Sequence, residues 1–123
     1  MMKHTILILF MFLSLLCHGQ SYKFFTTDRE LSSSLINKIY QDRNGMIWIA
    51  TEDGLNRYDG AKFVIYKHDP ENEHSLCHNY VRALYEDSKG RLFVGTYNGI
   101  QLYDPATDSF STQAHWEDGK TFD

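Results

Sequence analysis

"DRNGMIWIATEDGLNRYDG", residues 42–60, decides the fold, because "DSKGRLFVGTYNGIQLYDP", residues 87–105, has the same layout 45 residues later. Each stretch opens on an Asp-x-x-Gly turn, runs through an apolar strand, turns again at a glycine and closes on Tyr-Asp. Aligned without a gap, residues 39–60 and 84–105 share seven identical pairs: Tyr40/Tyr85, Asp42/Asp87, Gly45/Gly90, Thr51/Thr96, Gly54/Gly99, Tyr58/Tyr103 and Asp59/Asp104. Ile47/Leu92, Trp48/Phe93, Ile49/Val94, Ala50/Gly95 and Leu55/Ile100 keep their character, and upstream Ile36 matches Val81. A repeat of roughly 40–50 residues marks an array of supersecondary units, none of which buries its apolar faces alone.

Each unit reads as four short strands. The first is "INKIYQD" or "YVRALYED", with alternating apolar residues. Aspartate opens the next turn because its carboxylate accepts backbone N–H groups, and glycine closes it because it tolerates positive φ. The second strand, "MIWIAT" or "RLFVGT", is almost continuously apolar, which predicts burial on both faces. "LNRYD" or "IQLYD" and then "FVIYK" or "SFSTQ" complete the unit, with Pro105 in a turn where its missing N–H is harmless. The expected fold is therefore all-β: two four-stranded antiparallel β-propeller blades. Propellers close with about four to eight blades, so two make an incomplete propeller, and the chain is expected to be the amino-terminal piece of a longer design. The expected organisation is a signal peptide over 1–20, an N-terminal strand and linker over 21–34, blade 1 over 35–67, a linker over 68–79, blade 2 over 80–112, and the start of a further blade or a tail over 113–123.

The first twenty residues differ from the rest. Lys3 and His4 precede an uncharged apolar run from Thr5 to Cys17, and "HGQS" closes it, the layout of a secretory signal peptide. That run is short for a membrane span, which takes about 20 residues. Cleavage is expected after Gly19 or Gln20, leaving a periplasmic mature chain with no membrane segment. A lipid-bearing role for Cys17 is disfavoured, since bulky Leu16 stands before it. Cys77 is then the one cysteine of the mature chain, which excludes an intrachain disulfide. The formal charge is −4 and the basic residues are scattered, so no nucleic-acid partner is expected.

"SLINKIYQDRNGMIWIATEDGLNRYDG" and "HNYVRALYEDSKGRLFVGTYNGIQLYDP" resemble the repeats of two-component regulator propellers. The family pattern is matched in the second unit by Val81, Leu84, Asp87, Gly90, Phe93, Gly95, Thr96, Gly99 and Tyr103-Asp104; the first departs from it at Ala50, where glycine is usual. The resemblance implies the periplasmic sensor region of a hybrid two-component receptor of the Bacteroides type, in which the complete receptor senses an oligosaccharide and signals by phosphorelay. It implies no enzyme activity and no cofactor for this chain, which shows no kinase module. The partners expected are an oligosaccharide through the complete receptor, and either further propeller blades or self-association. The isolated chain is expected to associate or stay partly unfolded, and to bind no sugar tightly. The alternative is a propeller enzyme such as a streptogramin-lyase-like protein, or a self-associating structural or binding fragment.

Candidate chemistry is sparse. "HSLCH", His74–His78, offers a thiol and imidazoles, but a structural zinc site takes about four ligands and the spacing is that of a loop, so no metal site is expected. Asp42, Asp53, Asp59, Asp87 and Asp104 include carboxylates suited to glycoside hydrolysis, yet four of the five recur at repeat positions, where turn chemistry accounts for them. No catalytic residue is assigned. Trp48, Phe93, Tyr58 and Tyr103 occupy equivalent strand positions and are expected to pack between blades. Glu52, Asp53, Tyr97 and Asn98 lie in the loop between the second and third strands, which varies between copies at a rim where rigid scaffolds present binding groups. These four are the candidate ligand-binding residues.

Overall fold

The computed structural model describes residues 30–115. The signal peptide expected at 1–20, the strand at the start of 21–34 and the end of the 113–123 segment lie outside the described residues. Eight strands form two four-stranded antiparallel meanders, and the described residues contain no helix. β1 (Ile36–Gln41), β2 (Ile47–Thr51), β3 (Gly54–Tyr58) and β4 (Phe63–Tyr66) make the first sheet in that order. β5 (Val81–Glu86), β6 (Leu92–Thr96), β7 (Gly99–Asp104) and β8 (Ser109–His115) make the second. Both first strands carry a register irregularity at the same place, Ile36/Lys38 and Val81/Ala83.

The turns form for the reasons the sequence suggests, and they form twice. Asp42 Oδ1 accepts the backbone N–H groups of Asn44 and Met46 at 2.9 and 3.0 Å. Asp87 Oδ1 accepts those of Lys89 and Arg91 at 3.0 and 2.9 Å. The Arg91 backbone N–H, joined by its guanidinium, outweighs the opposing effect of burial and holds the Asp87 carboxyl below its usual range. Gly45 and Gly90 close these turns at φ +85° and +78°, a region that disfavours any side chain with a Cβ. At the other end of each sheet, Thr51 Oγ1 donates to the Gly54 carbonyl and Thr96 Oγ1 to that of Gly99.

The core is the contact between the sheets. One face of the first sheet presents Trp48, Ala50, Leu55 and Tyr66; the second answers with Val81, Leu84, Leu92, Val94, Tyr103 and Phe110, and Leu76 from the connecting segment joins them. Trp48 is 1% exposed. Its ring meets Tyr103 edge-on at 4.8 Å and stacks against Tyr66 at 5.9 Å. Aromatic pairs of this kind add about 0.5–1.5 kcal/mol beyond the area they bury.

A polar cluster flanks the aromatic contact. Arg57 Nη1 donates to the Tyr103 hydroxyl, and Asp108 Oδ1 accepts from Tyr66, Tyr103 and Arg57. Asp108 reaches this position because the last hairpin of the second sheet is two residues longer: Tyr103 pairs with Phe110, whereas Tyr58 pairs with Phe63. Its backbone is left-handed, φ +51°, which aspartate tolerates better than most residues. Burial raises the Asp108 carboxyl, but the two tyrosine hydroxyls and the Arg57 guanidinium overcome it and hold the group below the usual carboxylate range. Burial, then the carboxylate, push the Tyr66 hydroxyl well above its ordinary value.

Equivalent positions in the two sheets are not equally buried, which corrects the expectation for the aromatic strand residues. Trp48 and Tyr103 are enclosed, whereas Phe93 and Tyr58 are only half-buried. Likewise β2 is buried at Trp48, Ile49, Ala50 and Thr51, while β6 alternates, with Phe93 and Gly95 half-covered. The reason is geometric: Trp48 and Tyr103 lie on the two faces that meet, whereas Phe93 and Tyr58 lie on the opposite faces of their sheets.

Three glycines should rank in cost when changed to alanine. A Cβ at Gly45 meets nothing, so only backbone strain of about 1 kcal/mol is expected. At Gly90 it meets the Arg43 side chain at 2.9 Å, which can shift, adding a little to that strain. At Gly99 it falls 2.0 Å from the Ala114 carbonyl oxygen, and β7 must part from β8. Thermal melts should place Gly99→Ala lowest by a wide margin; equal midpoints for the three would contradict the β7–β8 pairing.

Because the folded Asp108 carboxyl titrates below its unfolded value, its contribution to stability is present above the unfolded value and is lost as pH falls through the folded one. Denaturant titrations should show the native chain losing stability below about pH 4, with that part of the slope missing in Asp108→Asn.

Candidate functional site

The loops of interest share one end of the sheets. The Glu52 N–H donates to the Leu35 carbonyl and the Tyr97 N–H to that of Tyr80, at 3.0 and 3.2 Å, so each β2–β3-type turn is pinned to the residue just before the first strand of its sheet. Gly54 adds a bond across the sheets, donating to the Asn79 carbonyl at 2.6 Å. Glu52 and Tyr97 therefore stand on rigid turns, with Tyr80 placed between them.

The side chains meet there. Tyr80 and Tyr97 stack almost parallel, centroids 4.0 Å apart with 5° between planes. The Tyr80 hydroxyl donates to Glu52 Oε1 at 3.0 Å, which ties the second sheet to the first. The Tyr97 hydroxyl and then the Glu52 carboxylate push the Tyr80 phenol up to about 12. His78 lies 5.7 Å from the Tyr97 ring and accepts the Tyr80 backbone N–H on Nδ1, which leaves its Nε2 carrying the proton. The Arg82 guanidinium lies 5.2 Å from the Tyr97 ring centre, within cation–π range. Tyr97 is 48% exposed, so the pair forms an accessible aromatic shelf with a carboxylate, a guanidinium and an imidazole N–H at its margin.

Of the four residues singled out in the sequence, Glu52 and Tyr97 meet in this cluster through Tyr80. Asp53 pairs instead with Lys67 at 3.0 Å. Asn98 donates to the Cys77 carbonyl at 3.1 Å and lines a separate groove of about 590 Å³ between the 68–75 segment and β8. Tyr80 and Arg82 carry no sequence signal for this site, and His78 is marked there only by the His74–His78 cluster, because they precede or begin a strand and nothing in their spacing marks them as neighbours of Tyr97.

Cys77 is held by the fold. The Cys77 N–H donates to Gln101 Oε1 at 2.8 Å and its Sγ lies 3.1 Å from Thr96 Oγ1. Forty-five residues earlier, Ser32 makes the same contacts with Asn56 and Thr51. Cys77 thus fills the serine position of the repeat. His68 Nδ1 is held by the Leu76 carbonyl at 2.8 Å. Among the described residues no group of His, Cys, Asp and Glu is arranged to hold a metal ion.

Comparisons with known proteins agree with the repeat. Residues 30–53 and 75–98 each match the family model described as two component regulator propeller. A curated relative, Histidine kinase P4 of Formosa agariphila, is 41% identical over 73 residues, which are 56% of this chain and 5% of that protein. Two crystal structures of the extracellular domain of BT4673 from B. thetaiotaomicron are similar in fold. The one described as a one component system has a TM-score of 0.61 at 24% identity and covers 76% of this chain and 14% of that one. The one described as a hybrid two component system has a TM-score of 0.63 at 23% identity and covers 83% and 15%. The chain spans only a small part of the length of each of these proteins.

The stacked phenols should be visible by titration. Absorbance of the tyrosinate band should show one ionisation near pH 12 that moves down in Glu52→Gln, since the carboxylate that disfavours the phenolate is gone. A raised folded value also means that this contribution to stability is present below the ordinary phenol pKa and is lost as pH rises through about 12. An unchanged titration in Glu52→Gln would contradict the Tyr80–Glu52 bond.

Proposed function

We propose that this chain, built on two component regulator propeller repeats, forms part of the exported sensor propeller of a two-component signalling receptor and contributes to recognition of an oligosaccharide. The observation that supports this most directly is the Tyr80–Tyr97 shelf with Glu52, His78 and Arg82 at its edge. Aromatic faces pack against the apolar C–H surfaces of sugar rings, while carboxylate, guanidinium and imidazole groups hydrogen-bond hydroxyls. Binding sites also favour loops held by a rigid scaffold, as these turns are. In this reading the chain is a binding module and catalyses nothing, and Asp53 and Asn98 flank Glu52 and Tyr97 on their turns with side chains engaged by Lys67 and the Cys77 carbonyl.

Affinity from a single shelf is weak, so the test is a measurement that reads weak binding. Nuclear magnetic resonance of the full chain, titrated with a panel of neutral and acidic oligosaccharides, should show shift changes confined to Glu52, His78, Tyr80, Arg82, Tyr97 and their neighbours. Tyr97→Ala should weaken the responding sugar by roughly 3- to 10-fold, the worth of one aromatic contact. Shift changes elsewhere on the chain, or no response to any sugar, would refute the assignment of the site.

A further inference from the structure

The charged groups around the Tyr80–Tyr97 shelf are not equally committed. Both carboxylates there are engaged: Glu52 Oε1 accepts the Tyr80 hydroxyl at 3.0 Å, and Asp53 is paired with Lys67 at 3.0 Å. Glu52 meets the stack at the Tyr80 hydroxyl, whereas the Arg82 guanidinium lies 5.2 Å from the centre of the Tyr97 ring. The fold uses the other arginines of the described residues. Arg57 pairs with Asp108 and Arg91 with Asp87. Arg43 pairs with Glu86, and its Nη2 also donates to the Asp87 and Ser88 carbonyls. Among the described residues Arg82 is the arginine whose side chain has neither a carboxylate nor a carbonyl partner; it faces the Tyr97 ring instead.

The repeat gives no structural reason for a cation at this position. The equivalent residue of the first unit is Asn37, whose Nδ2 donates to the Val81 carbonyl at 2.8 Å and so helps tie the sheets together. Arginine in its place brings a fixed charge and a fork of N–H donors to an exposed position. The planar fork matches an oxyanion, and a charge-assisted hydrogen bond is roughly twice as strong as a neutral one. A second donor stands nearby. His78 Nδ1 accepts the Tyr80 N–H at 2.9 Å, so Nε2 carries the proton, and the imidazole lies 5.7 Å from the Tyr97 ring. The groups flanking Tyr97 are thus a cation and a neutral N–H. A sugar hydroxyl satisfies such donors but leaves the charge unmatched; an anionic substituent satisfies both.

Resting on the reading of the shelf as an oligosaccharide site, we propose that it selects a sugar residue bearing an oxyanion, either a uronate carboxylate or a sulfate ester, and that Arg82 sets this preference with His78 as a second donor. The sugar packs on the exposed part of the phenol stack while its oxyanion takes the Arg82 N–H groups.

Nuclear magnetic resonance titrations of the full chain with matched pairs separate charge from shape. The pairs are short galacturonate, glucuronate and mannuronate oligomers against their methyl esters, and sulfated oligosaccharides against their desulfated parents. The charged member of at least one pair should bind roughly 5- to 10-fold more tightly, with shift changes at Tyr80, Arg82 and Tyr97. Which pair responds distinguishes carboxylate from sulfate. In the native chain about 1 M salt should shrink that ratio, because the contact is exposed and screened. In Arg82→Gln the ratio should fall to about one, and Arg82→Lys should keep part of it. Equal affinity for the two members of every pair, with shifts at the shelf, overturns the preference and leaves the oligosaccharide reading standing. No shift at the shelf with any sugar overturns both. A ratio that survives in a folded Arg82→Gln chain overturns the role of Arg82. The salt series needs no variant, so it decides if a substitution prevents folding: a ratio indifferent to salt overturns the role of charge.

Discussion

Trp48 under Tyr103 is the contact on which the rest of the structure depends. A four-stranded sheet that is apolar on both faces is not stable in water by itself; one face must be covered before the strands are worth ordering. Here the cover is the next copy of the same sheet. The contact also reaches back into local structure, because Trp48 Nε1 donates to Asp42 Oδ2 at 2.9 Å while Asp42 Oδ1 holds the turn. One carboxylate organises the hairpin and aims the indole into the interface. In the second sheet the equivalent carboxylate takes Arg91 instead, at 2.6 Å, and the guanidinium lies 5.6 Å from the Phe93 ring centre.

The buried polar groups follow the repeat with the same economy. Asn56 and Gln101 are both fully buried. Each would be costly in a core without partners, and each finds them in the segment before its sheet. Ser32 serves Asn56, and Cys77 with the Ser75 carbonyl serves Gln101. The longer glutamine reaches two residues further upstream, to Ser75. No buried side-chain nitrogen or oxygen among the described residues lacks a partner. These latches seal the ends of the sheets nearest the Tyr80–Tyr97 shelf and keep its supporting turns rigid.

The candidate site and the fold thus draw on different parts of the repeat. The positions that recur, Asp, Gly, Thr and the strand aromatics, build turns and faces. The positions that differ between copies are those that touch something specific. Glu52 and Tyr97 are repeat equivalents with unlike side chains, and they meet through Tyr80, whose counterpart is Leu35. Arg57 and Leu102 are equivalents too, one half-buried in an ion pair with the neighbouring sheet and the other half-buried on the opposite face of its own.

What the sequence determined was everything set by local chemistry and period. Asp-x-x-Gly spacing placed two turns, alternation and apolar runs placed eight strands, and the spacing of 45 tied the two units together. Part of the candidate site was legible, because Glu52 and Tyr97 fall in the loop that varies. An alignment carried further upstream would also have paired Leu31 with Leu76 and Ser32 with Cys77, and so explained the cysteine. Only the tertiary structure decided the rest. Which face of each sheet is covered depends on the sense in which one sheet seats the next, and strand alternation makes both faces look alike. Asp108 matters because a hairpin is two residues longer and its backbone is left-handed, and neither fact shows in spacing until the register is known. Tyr80, His78 and Arg82 join Tyr97 through the pinning of the β6–β7 turn to the residue before β5, a contact between segments that periodicity alone does not bring together.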